Sequence, residues 1–203
     1  MRNRRWSLNS LAYAMAATLV APCALVAQNA QLAREEVVRG PVLFSVPSTW
    51  RTVREREEAG FSSVAYHIPN ASLDSFSAAR TNVIVTIRII EGAPPFNVLT
   101  DSLLGYLIDP SMIVLEDNSI ASQRSVFWRG EGESSIYAGY DDLALVGEVL
   151  VHVRIAVPLH SANPTGWSER LEEDTASLLE SVLVNGTRAF PEVVGYPALR
   201  PIG

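Results

Sequence analysis

Lysine is absent from this 203-residue chain, and cysteine occurs once. All basic side chains are therefore arginine, the composition of a GC-rich genome. The one thiol, Cys23, sits in the N-terminal stretch. Once that stretch is removed, no disulfide, thiol nucleophile or cysteine-ligated metal is left. Histidine is scarce as well. His67, His152 and His160 lack the spacing of a paired metal site. There is no Gly-x-Ser-x-Gly elbow to present a nucleophilic serine. No basic stripe is present to track nucleic acid.

Met1 to Ala27 has the order of a secretory signal peptide. Arg2, Arg4 and Arg5 precede an apolar run from Leu11 to Ala21, and small residues follow near Ala24 to Ala30. Cleavage is expected after Ala27, with Ala30 as the alternative. Ser7 interrupts a twin-arginine pattern, and Pro22 stands where a lipid box before Cys23 needs a small residue. The run from Leu11 to Val26 falls short of the roughly 20 apolar residues that span a bilayer. The expectation is therefore export to the periplasm or beyond, with no membrane span after cleavage. Three of the sixteen arginines leave with the signal, so 13 face 22 acids and the mature charge is −9. An acidic surface discourages contact with nucleic acid or anionic lipid.

The mature chain reads as one domain over 28–186, with an irregular proline-containing tail at 187–203. Strands are expected at 42–46, 52–56, 62–68 and 82–90, then at 112–116, 124–129, 134–140 and 148–157. The last alternates cleanly, with Val149, Val151, Val153, Ile155 and Val157 on one face and Leu150, His152, Arg154 and Ala156 on the other. Gly130-Glu-Gly132 is expected to turn a hairpin, and Asp141-Asp142 to open a connection. One helix runs from Asn97 to about Ile108. A second follows Asn163-Pro164 and stops at Asn185-Gly186, with Trp167, Leu171, Leu178, Leu179 and Val182 along one side. Many strands with two helices predict an α+β fold, an antiparallel sheet with helices packed on it.

Three segments carry a family likeness: Phe44-Ser-Val-Pro-Ser-Thr-Trp50, Asn82-Val-Ile-Val-Thr-Ile87, and Val151-His-Val-Arg-Ile-Ala-Val-Pro158 followed by Trp167 and Leu178-Leu-Glu-Ser181. Over about residues 36–184 the chain resembles the Mog1/PsbP-like group. The resemblance implies an α/β/α sandwich and a scaffold for binding macromolecules, and it carries no catalytic set.

The candidate site is a set of basic residues on three strands: Arg88, Arg129, His152 and Arg154. On the less apolar face of neighbouring strands they would form a cationic patch suited to carboxylates or phosphates. The competing reading pairs them with Glu116, Glu131 or Glu148 across the strands. Carboxylates cluster at Glu57-Glu58, Asp141-Asp142 and Glu172-Glu173-Asp174. The leading expectation is an exported, non-enzymatic binding or accessory protein without metal or cofactor, its partner another exported or envelope protein. The alternatives are a cofactor-free envelope hydrolase using carboxylates and an immunity protein that neutralises a toxin.

Overall fold

Strand-forming sequence dominates the computed structural model, which describes residues 33–68, 83–99, 112–120, 122–131, 136–159 and 169–191. The chain divides into two compact units, Met1–Gln31 and Leu32–Gly203, and every described residue falls in the second. The expected signal peptide therefore lies outside the described residues, as do Trp167, most of the helix expected at 97–108 and the end of the tail.

Eleven strands are described: β1 Arg34–Arg39, β2 Val42–Pro47, β3 Arg51–Glu58, β4 Phe61–Ile68, β5 Val83–Glu91, β6 Met112–Ile120, β7 Gln123–Glu131, β8 Ile136–Val146, β9 Val149–Leu159, β10 Leu183–Val184 and β11 Thr187–Arg188. One helix, α1, spans Glu169–Ser181, and residues 96–99 are also helical. Seven strands form a large sheet in the order β3-β4-β5-β9-β8-β7-β6, and four form a small one, β1-β2-β10-β11. All pairings are antiparallel.

This corrects the expected α/β/α sandwich flanked by helices: the protein is mostly β, in two sheets. The strand expected at 42–46 forms, and Val42, Phe44 and Val46 of β2 alternate inward. The backbone of β2, however, pairs with β1 and with Leu183–Val184 of β10, and so builds a second sheet. Helix α1 docks on β2. Ser181 ties the two together, its Oγ accepting from the Ser45 amide at 2.9 Å.

Two expected boundaries also move. The helix stops at Ser181 rather than at Asn185-Gly186. That pair instead turns the β10–β11 hairpin with positive φ at both residues, 48° and 82°. Asn-Gly is the usual pair for such a two-residue turn. Asp141-Asp142, expected to open a connection, lies in the middle of the 11-residue strand β8, whose turn comes later at Gly147.

The period-two side-chain pattern then sorts the large sheet into two faces. One carries Val83, Val85, Ile87 and Ile89 of β5 and Val149, Val151, Val153, Ile155 and Val157 of β9. With Val64, Tyr66 and Ile68 of β4, residues of β2, and Leu171, Leu178, Leu179 and Val182, they form the main core. Trp50 is buried within it, its ring centroid 6.0 Å from that of Tyr66. The other face has a smaller apolar cluster, Ala93, Leu143 and Leu150, with Ile90, Phe96, Leu99 and Leu145 against it. The polar residues considered next lie on this second face.

Candidate functional site

Register decides which of the basic residues meet. Arg88 of β5 sits directly opposite His152 of β9, and Arg154 of β9 directly opposite Asp141 of β8. These four share the second face. Arg129 does not: it is registered with Ala138 on β8 and Ile113 on β6, one position off the Trp128–Gly139 pair, and so belongs to the first face. Three of the four expected residues are thus brought together and the fourth is separated, close to the β6 edge.

Asp141 joins the three. His152 Nε2 lies 2.7 Å from Asp141 Oδ1. Arg154 Nη2 donates to Asp141 Oδ2 at 3.1 Å, and its Nε lies 3.0 Å from Oδ1. Arg88 Nη1 lies 3.1 Å from His152 Nδ1. Both His152 and Asp141 are wholly buried. The arginine partners foreseen from sequence were Glu116, Glu131 and Glu148. The observed partner of Arg154 is Asp141, an aspartate expected to open a connection. Its signal was present: Ile136 to Val146 continues the strand pattern across the two acids, which breaks only at Gly147.

The geometry fixes the imidazole's proton. Guanidinium has only donors, so His152 Nδ1 must accept from Arg88. The proton sits on Nε2, which donates to the Asp141 carboxylate. A second proton, on Nδ1, would face a donor. Burial holds the His152 pKa below its ordinary value, with the charges of Arg88 and Arg154 adding to the effect and Asp141 opposing it. For Asp141, burial pushes the carboxyl up. The His152 hydrogen bond, with the charge and hydrogen bond of Arg154, outweighs it and brings the pKa below the usual carboxylate value. The cluster is a neutral imidazole and a carboxylate held between two cations.

Trp128 completes the arrangement. The Arg154 guanidinium carbon lies 5.0 Å from its ring centroid, a cation–π distance. The indole covers Gly139, where a Cβ would collide with Trp128 and with the Ile155 carbonyl. Glycine at 139 makes room for the ring on which Arg154 rests.

Among the described residues, the carboxylates seen in pairs do not converge for acid–base work. Asp141 and Asp142 are neighbours on a strand and point to opposite faces. Asp142 faces the core side, where Ser125 Oγ donates to its Oδ1 at 2.7 Å. Glu58 is held by Arg56 at 2.8 Å on the exposed strand β3. His152 has both ring nitrogens engaged, with Arg88 where a general base would need its substrate. Among the described residues, no group of three His, Cys, Asp or Glu could hold a metal ion. No described helix is long and apolar enough to cross a membrane.

The edges of the large sheet differ in composition. At one end, β3 has six charged residues in eight, with Arg39–Glu55 and Arg56–Glu58 ion pairs at 2.8 Å. At the other, β6 reads Met-Ile-Val-Leu-Glu-Asp-Asn-Ser-Ile, and Ile113 (64%), Val114 (40%), Leu115 (40%) and Ile120 (46%) are exposed. A register shift between Val114 and Glu116 leaves Leu115 without a partner on β7. The sequence pattern marks a strand at 112–116 and carries no sign that it forms a sheet edge.

No family model matches the chain, and no curated protein matches it. Several solved structures are similar at a low level, two of them as follows. One, from Bacteroides thetaiotaomicron, is 12% identical with a TM-score of 0.42, covering 71% of this chain and 45% of that one. This chain therefore spans less than half of that protein. The other is LpqN of Mycobacterium tuberculosis, described as involved in cell envelope biogenesis. It is 10% identical with a TM-score of 0.40, covering 74% and 89% of the two chains. Neither likeness bears on what this chain does, and neither is named as Mog1/PsbP-like.

Proposed function

We propose that this chain is an exported, non-enzymatic binding or accessory protein that engages another exported or envelope protein through the β6 edge of its large sheet. The observation that carries the reading is the exposed apolar stretch Ile113-Val-Leu115 on an edge strand. Edge strands present unpaired backbone groups, and proteins ordinarily blunt them with charge or cover. In this sheet β3 is blunted by charge, whereas the first half of β6 is apolar. Exposed apolar surface of this kind marks interaction sites. The order of residues 1–27 supports export. The polar cluster suits a structural role, because its four members contact one another at 2.7–3.1 Å and two of them are wholly buried.

The test is photo-crosslinking in the native host, with p-benzoylphenylalanine placed at position 115, 53 or 88. Adducts from position 115 alone are expected. Adducts from 53 or 88 but not 115 would move the docking surface elsewhere and refute the reading.

A further inference from the structure

The chemistry of β6 narrows the kind of partner. Resting on the reading of β6 as the docking strand, we propose that its occupant is an extended, apolar segment of another protein bearing basic side chains, which adds as an eighth antiparallel strand.

Three observations carry this. The large sheet is antiparallel throughout, and β6 ends it: eight of its nine residues register with β7, and no strand lies on its other side among the described residues. Strand addition uses such an edge for main-chain bonds and takes specificity from alternate side chains. Second, charge is unevenly spread along β6. Arg124 already holds Asp117 through two contacts, Nε to Oδ1 at 3.0 Å and Nη2 to Oδ2 at 2.8 Å. The adjacent Glu116 is exposed, so it is the acid a partner's cation would meet.

Third, the charge pattern disfavours a second copy of this chain. Two β6 strands paired antiparallel about their middle would bring Glu116-Asp117 of one copy against Glu116-Asp117 of the other. Like charges across a pair destabilise it. With 22 acidic and 16 basic residues, the chain also repels its copy at long range. A basic segment reverses both effects. Its apolar side chains would lie against Ile113, Val114 and Leu115, and Leu115, skipped by the β7 ladder, offers the most distinctive contact.

The test uses the purified exported protein and two fluorescein-labelled nonapeptides, one alternating lysine and valine, the other glutamate and valine. The lysine peptide should bind and slow amide exchange along β6, and the glutamate peptide should bind about ten-fold more weakly or less, a difference of about 1.4 kcal/mol. Leu115→Asp should abolish binding, Glu116→Arg should invert the preference, and Val53→Asp on β3 should change nothing. Unaltered circular dichroism of each variant separates lost binding from lost folding. Equal affinity for both peptides, protection on β3, or an unchanged preference in Glu116→Arg would overturn the proposal. So would a concentration-dependent dimer with β6 protected in the absence of peptide. Crosslinks from position 115 without any peptide preference would refute the basic strand and leave the accessory role standing.

Discussion

The polar cluster on the second face and the β6 edge are opposites in how they use their groups. In the cluster, Arg88, His152, Asp141 and Arg154 are engaged with one another at 2.7–3.1 Å, and two of them are out of reach of solvent. On β6, apolar side chains and one strand edge are left to the outside. Charged residues with the look of a site can be committed to holding the sheet together. An unremarkable apolar strand can be the surface left for a partner. A group already paired offers less to an incoming ligand than one that is not.

The first way to break this comparison is to cut the cluster. Asp141→Ala removes the acceptor shared by His152 and Arg154 and leaves a buried donor and a cation without their carboxylate. A loss of about 3–5 kcal/mol is expected in urea unfolding, the range for breaking a buried pair. A cost below about 1 kcal/mol would mean that the cluster is not structural. Next in size is Gly139→Ala, which drives a Cβ into Trp128 and the strand behind it. Overpacking costs about 1–3 kcal/mol, and displacement of the ring should appear in tryptophan fluorescence.

The third test is pH. His152 has a lowered pKa in the fold, so between that value and 6.5 the unfolded chain holds a proton that the native one lacks. Stability must then rise with pH through this window and fall on acidification below about 6.5. Asp141, also lowered, contributes stability that is present above its ordinary 3.8 and lost as pH falls further. Both act in the same direction, against acid. His152→Gln should flatten the slope between pH 7.5 and 5.5 relative to the wild type. An unchanged slope would assign that dependence to other groups.

How far the sequence foreshadowed this follows from what alternation reports. The strict period in Val149 to Val157 and Val83 to Ile89 located two central strands and their apolar face. It also placed Arg88, His152 and Arg154 together on the reverse side. What it could not report was partner and cover. Asp141-Asp142 has turn composition, and only long-range pairing with β7 and β9 draws it into a strand. Arg129 went astray because strand parity cannot be carried from one strand to the next without knowing register. The small sheet was hidden for a similar reason. Leu183–Val184 is too short to register as a strand, and it gains its pairing with β2 from more than a hundred residues away.

The smallest stability effect is expected on β6. Leu115→Asp should change unfolding by less than about 0.5 kcal/mol, since surface positions outside special features rarely do more. A large loss there would show that Leu115 belongs to the core rather than to an open edge. Its effect should fall on binding instead.

The most direct measurement of the central claim is therefore a paired crosslinking experiment in the native host, with the photoreactive residue at 115 in one strain and at 88 in the other. Discrete adducts to another exported or envelope protein are expected from position 115, abolished by a neighbouring Glu116→Arg substitution, and none from 88. Adducts from position 88 with none from 115 would contradict the claim and make the arginine face the recognition surface.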